Sequence, residues 1–583
     1  MKSKLFAGML VSILMIFAID VMAQKANNLN DIFPVEEVKH GMTGYGFSDL
    51  GPDVSNKFRF RVEFVEKNAL GYGHDIIWAL LSGNRMLTKK DTGIISGMSG
   101  SPCYSSDGRF LGTVSYGHDG ALEPMAGITP ARELLSVGEN ELSYLINNFS
   151  NKSLFGQNRG NPRSNLMCFN VNNISPKHDD LSRLFVTKPY FSGSGGQESQ
   201  ADLSDGLKVV EKTLKPGDSI GVGLVVGDIS VVGTGTASFV DGKTVWAFGH
   251  SIFQFGEINF PMLAAETWGA MLGQPKPWKN TTTGAVIGTF TQDRLTGVYG
   301  HLGQMPDMIP MTVNLERNGK KQTLHFYIVR QKMLTPVLVE NIIDNLLTEF
   351  SDTQELTVFS RGKIYIKGVS DKSFYFSEHG EGLASEMGNY CAREIRLATI
   401  PKDDLFEKNE PAEPLRIEGI NIDLSVSEGN KTFSVEEIKN GSDDAIFNLN
   451  LNYDLDIILK NGQEQKTVSF SLAIPYGFNG EIVVLAGDAE AMTTSFDKEN
   501  YRQNTKSSER QDDFSTLIRE SFSGGSLYIK IFYISKTSGS ASSVMLRPTI
   551  RMEIYEVFLD NIVVEGQRHA LINVSNTNVG NTK

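Results

Sequence analysis

Apolar and polar residues alternate strictly from Phe447 to Leu455, with Phe447, Leu449, Leu451, Tyr453 and Leu455 against three asparagines and Asp454. Such alternation sends the two sets to opposite faces of a strand, so the run predicts a strand with one wet face. Asn461-Gly462 predicts a tight turn directly after it, because this dipeptide reaches the positive φ values of a two-residue hairpin. The same punctuation occurs earlier. Asp107-Gly108 separates Pro102-Cys103-Tyr104 from Phe110-Leu111-Gly112-Thr113-Val114. Asp241-Gly242 likewise divides Thr236-Ala237-Ser238-Phe239-Val240 from Thr244-Val245-Trp246-Ala247-Phe248. Helical spacing is rarer. Its clearest instance is Pro336 to Phe350, where Leu338, Ile342 and Leu346 fall beside Val339, Ile343 and Leu347. The pattern predicts a mainly β chain.

Shifts in composition divide that chain. Residues 148–204 are rich in Asn, Ser and Gly and read as a linker or excursion. Lys402 to Pro414 is charged and carries two prolines, which separates the middle of the chain from its last third. The expected domains are a β domain over 28–147, another over 205–400 and a C-terminal β-sandwich-like domain over 415–583. The polar stretch from Thr493 to Asp513 reads as a surface loop of the last domain. At the N-terminus, Lys2 and Lys4 precede an apolar run from Leu5 to Ile19 and then Val21-Met22-Ala23. This reads as a signal peptide over 1–23, the run falling short of the about 20 apolar residues of a spanning helix. The mature chain is therefore expected outside the cytoplasm, secreted or in the periplasm or cell envelope, with no integral membrane segment.

With 583 residues, 40% of them hydrophobic, the chain can bury several cores. Its 55 Lys and Arg against 68 Asp and Glu leave a net charge of -13, which argues against nucleic acid as a partner. Cys103, Cys168 and Cys391 are too sparse for a disulfide framework, although one pair can form in an oxidising compartment. They are also too scattered for a metal site, and neither metal nor cofactor is expected.

The chemistry is expected at Gly97-Met98-Ser99-Gly100-Ser101-Pro102, just before a hairpin. A serine nucleophile needs an exposed hydroxyl on a tight turn, beside backbone N–H groups free to receive an oxyanion. In a chymotrypsin-like arrangement the donors would be the amides of Ser99 and Gly97. The α/β-hydrolase elbow G-x-S-x-G does not fit, because Ser101 stands where its last glycine belongs. The plain alternative is a glycine- and serine-rich turn with no chemistry. A base is also required. His250, after Phe248-Gly249 at a strand end, leads the candidates, with His74 in Gly73-His74-Asp75 second and His118 third.

The segment from Thr92 to Pro102, with Asp107-Gly108 and Leu111-Gly112-Thr113-Val114-Ser115-Tyr116-Gly117 behind it, resembles the SpoIVB-type serine peptidase family. Ala126-Gly127-Ile128-Thr129-Pro130, Gly233-Thr234-Gly235-Thr236 and Ala247-Phe248-Gly249-His250 fit the same resemblance, as do Pro216-Gly217-Asp218 and Thr291-Gln292-Asp293-Arg294. It is closest to a long, secreted branch and covers the chain from about Phe33. The resemblance implies a chymotrypsin-like double β-barrel, with Ser99 as nucleophile, His250 as base and a protein or peptide as substrate. Residues 28–147 would be the barrel half carrying the serine, and 205–400 the half carrying the histidine. Four departures accompany it, one of them from chymotrypsin-like zymogens only. The serine block precedes the histidine block, as in a circular permutation; a triad is defined by geometry and not by order. Met98 stands where chymotrypsin-like zymogens often hold an aspartate, and no PDZ-like segment is visible. Where the family places its acid, this chain reads Gly83-Asn84-Arg85, which leaves Asp75, Asp91, Asp228 and Asp293 as candidate third members.

Two functions follow as expectations. One is a secreted serine endopeptidase, self-processing included. The other is a peptidase-like envelope protein, weakly active or inactive, that acts as a binding or assembly module.

Overall fold

The computed structural model describes residues 31–52, 54–83, 94–117, 123–138, 164–165, 168–171, 206–272, 277–317, 319–348, 355–399, 415–440, 446–447, 452–475, 478–488, 526–535, 550–557, 559 and 562–575. The signal-peptide reading, most of the 148–204 excursion, Asp91, His118 and the Thr493–Asp513 loop fall outside these residues. The chain forms two units: Met1–Pro310 with His325–Asn345, and Met311–Leu324 with Leu346–Lys583.

Six strands open the first unit: β1 (Thr43–Phe47), β2 (Lys57–Gly71), β3 (His74–Ser82), β4 (Pro102–Ser105), β5 (Phe110–Gly117) and β6 (Met125–Pro130). Antiparallel pairing runs β1–β2, β2–β3, β3–β6, β6–β5, β5–β4 and β4–β1. The last pairing returns to the first strand, so the sheet closes into a barrel of order 1-2-3-6-5-4. Closure leaves no free edge among these strands. Alternation fills the interior: Phe58, Phe60 and Val62 of β2 pack with Ile77, Ala79 and Leu81 of β3 in one buried cluster. The hairpin expected at Asp107-Gly108 joins β4 to β5.

A short helix, α1 (Ala131–Leu135), follows, and then the short strands β7 (Ser164–Asn165) and β8 (Cys168–Val171). The next six strands are β9 (Ser219–Gly227), β10 (Val231–Asp241), β11 (Thr244–Ala247), β12 (Gly256–Met271), β13 (Trp278–Arg294) and β14 (Gly297–Leu302). They pair β9–β10, β10–β11, β11–β14, β14–β13, β13–β12 and β12–β9, all antiparallel. This second ring has the same order, 1-2-3-6-5-4. Its β10–β11 hairpin turns at Asp241-Gly242, as the sequence predicts. Register shifts in β12 and β13 bend these long strands enough to serve a closed ring.

The strands β15 (Met308–Arg317) and β16 (Lys320–Val329) precede α2 (Leu334–Thr348), the helix expected from apolar spacing. In the second unit, β17 (Glu355–Ile366) pairs with β18 (Lys372–Glu381) and with β19 (Ile417–Glu428). Between β18 and β19 lies α3 (Leu383–Ala398), which buries Leu383, Met387, Cys391, Ile395 and Ala398. The remaining strands run from β20 (Thr432–Asn440) to β28 (Gln567–Ser575) and form a four-stranded and a five-stranded sheet. Leu455 and Ile457 of the first sheet share one apolar cluster with Ile482, Val484 and Ile529 of the second. Among the described residues no helix is long and apolar enough to cross a membrane.

Candidate active site

Ser99 lies on the connection between β3 and β4, the third and fourth strands of the first ring. His250 lies on the connection between β11 and β12, the third and fourth strands of the second. Equivalent connections of two like rings thus supply the two residues, and each turn is hydrogen-bonded to the opposite ring, at Ser99 O by Thr236 and at Gly249 O by Thr129.

The serine turn is held from both sides. Gly100 N–H donates to Val114 O at 2.7 Å in the first ring, while Thr236 N–H donates to Ser99 O at 2.8 Å from the second. Gly97 and Gly100 have φ of +92° and +93°, a region that costs side-chain-bearing residues energy. A Cβ on Gly100 would also stand 1.9 Å from Thr236 O. The motif's glycines are therefore required by backbone geometry. Among the described residues no hydrogen bond engages the amides of Gly97 or Ser99, the two predicted oxyanion donors.

The histidine turn follows Phe248, which takes φ +66° although it is not glycine. Such a conformation costs on the order of 1–3 kcal/mol and persists where packing over-determines it. Phe248 N–H donates to Thr236 O at 3.3 Å, and Thr129 Oγ1 donates to Gly249 O at 2.7 Å. The imidazole of His250 lies near Tyr116 and Phe248, with ring centroids 6.0 and 6.4 Å away. Its Nδ1 is 2.7 Å from Ser251 O. A carbonyl only accepts, so Nδ1 carries the proton, and in the neutral ring Nε2 is the acceptor. That is the tautomer a general base needs.

The candidate acids part ways. Asp293, at the end of β13, is fully buried, and its carboxylate accepts from the amides of Ile252 (2.7 Å), Phe253 (2.8 Å) and Phe255 (3.3 Å). It thus anchors the loop whose first residue, Ser251, accepts the imidazole Nδ1–H hydrogen bond at its carbonyl. Burial pushes the Asp293 carboxyl above its ordinary range, and the amide donors partly offset this. Asp75 is engaged elsewhere, by Lys67 Nζ at 2.7 Å and Asn68 N–H at 2.9 Å. Asp228 accepts from His325 N–H at 2.7 Å. His74, the second-ranked base, pairs its Nδ1 with Glu133 at 3.0 Å. Cys103 is free and buried, and burial drives its thiol far up, which leaves it inert beside the serine turn.

Ser99 and His250 are 0% and 1% exposed. Ser99 Oγ has no hydrogen-bond partner among the described residues, so the serine–imidazole bond is not formed in this conformation. Sequence reasoning missed the Ser251 carbonyl, since any residue supplies one. It also missed Thr236, the residue that both turns touch. Comparison of the chain with family models, with curated proteins and with solved structures found no match.

Proposed function

We propose that this protein is a serine endopeptidase of chymotrypsin-like architecture with its two barrels in permuted order. The observation that supports the reading is that the Ser99 and His250 turns occupy equivalent connections of the two rings, each hydrogen-bonded to the opposite ring. In this reading Ser99 Oγ attacks the scissile carbonyl while His250 Nε2 takes its proton. The amides of Gly97 and Ser99 receive the oxyanion, each worth about 10²–10³ in rate. The imidazolium then gives its proton to the leaving amine, and water repeats the sequence on the acyl-enzyme. Ser251 O holds the imidazole in the working tautomer, and Asp293 holds Ser251. The proposal includes export through residues 1–23 and a sandwich-like C-terminal domain that presents or shields substrate.

The burial of Ser99 supports a second reading, in which the same fold serves an envelope binding or assembly role with its site closed. Incubation of the purified protein with a peptide library separates the two. The peptidase reading predicts defined cleavage products, or self-cleavage, that vanish in Ser99→Ala. Cleavage unchanged in Ser99→Ala, or none under any condition in which the protein is folded, overturns it.

A further inference from the structure

Lys279, near the start of β13, is 1% exposed. Lysine is almost never fully buried, because its ammonium loses water that hydrogen bonds must replace. Here Nζ donates to Thr236 Oγ1 at 3.1 Å and to Ser219 Oγ at 3.3 Å. Thr236 Oγ1 in turn donates to Gly97 O at 3.0 Å. The hydroxyl therefore links the ammonium to the peptide that joins Gly97 to Met98. A cation on the oxygen of a hydroxyl strengthens the bond which that hydroxyl donates.

The main chain of Lys279 acts on the neighbouring peptide. Its N–H donates to Ser96 O at 2.9 Å, while Ser96 N–H donates to Pro277 O at 2.8 Å. Ser96 C=O and Gly97 N–H belong to one planar trans unit. Fixing the carbonyl therefore fixes where the Gly97 N–H points. The methylene stem closes the arrangement from below: a Cβ on Gly97 would stand 3.1 Å from three of its carbons. One residue of the second ring thus holds both peptides that flank Gly97 in the first.

We propose that Lys279 is a positioning residue for the Ser99 oxyanion hole, acting through its own amide on Ser96 and through Thr236 on Gly97. This inference rests on the peptidase reading. It assigns the lysine no contact with substrate, and it makes the donor geometry of one ring depend on a charge buried in the other.

The test is the rate at which a fluorophosphonate probe modifies Ser99 in wild type, Lys279→Met, Thr236→Val, Thr236→Ser and the double variant Lys279→Met/Thr236→Val. Lys279→Met and Thr236→Val should each slow modification by about 10²-fold, the scale of one oxyanion donor. Thr236→Ser keeps the hydroxyl and should stay near the wild-type rate. The double variant should be no slower than Lys279→Met, because both lie on one relay. The pH at which the rate falls on the acid side should not move, since the imidazole is untouched. A wild-type rate in Lys279→Met, additive losses in the double variant, or no rescue by serine overturns the inference and leaves the peptidase reading standing. No modification of wild-type Ser99 ends both. If Lys279→Met does not fold, the contrast of valine with serine at Thr236 decides alone.

Discussion

The two rings share a strand order, and the proposed nucleophile and base lie on the same connection of each, yet the rings secure that connection by different means. In the first ring the serine turn adopts its shape because glycine costs nothing at positive φ, at Gly97 and Gly100. In the second, Phe248 takes a comparable φ with a full side chain, and a buried carboxylate binds the loop beyond His250 through three amides. The serine turn is held from the second ring by its carbonyls, at Gly97 and Ser99, with the amides of those two residues left for the proposed oxyanion. The loop after His250 is held by its amides on Asp293, with Ser251 O facing Nδ1, while Gly249 O ahead of it accepts from Thr129 of the first ring.

Gly100→Ala breaks the comparison most severely. Its Cβ would collide with Thr236 O, and the alanine would also carry the positive φ. We expect a loss of about 3 kcal/mol of stability, seen as an early melting transition, with probe labelling lost. A wild-type melt would mean that the turn is free to move.

Asp293→Asn tests the other side and should act less. The amide keeps one acceptor oxygen but turns an NH2 group toward backbone donors, which costs about 1–3 kcal/mol. Its pH dependence carries a sign. Burial raises the folded-state carboxyl, so the folded protein holds this proton more tightly than the unfolded chain. That contribution is complete below the ordinary carboxylate range and is lost as pH rises through the raised value. The difference in melting temperature between wild type and Asp293→Asn should therefore shrink with rising pH over that window. A difference that grows would contradict the assignment of Asp293 as a desolvated anchor.

Much of the first unit was legible. The Asp-Gly turns set two hairpins, and the motif glycines marked the turn that geometry requires. Apolar spacing gave α2 to within two residues at each end. It did not give α3, although Leu383, Met387 and Cys391 recur every fourth residue, because the polar residues between them masked the stripe. The closing pairs of the two rings, β4–β1 and β12–β9, were not legible. Local alternation says which face of a strand is buried and is silent on which strand it meets. The site divided in the same way. Ser99 and His250 were candidates because of their residue types. Lys279, in Trp278-Lys279-Asn280, resembles any surface lysine until the barrel closes over it.

The central claim is that Ser99 and His250 work together as nucleophile and base. Its most direct measurement is intact-protein mass spectrometry after exposure to a fluorophosphonate, with peptide mapping of the adduct, for wild type, Ser99→Ala and His250→Ala. The account predicts one adduct on Ser99 in wild type, none in Ser99→Ala, and a rate lower by about 10⁴-fold or more in His250→Ala. Equal labelling of all three folded proteins, or an adduct mapped to another residue, would contradict it.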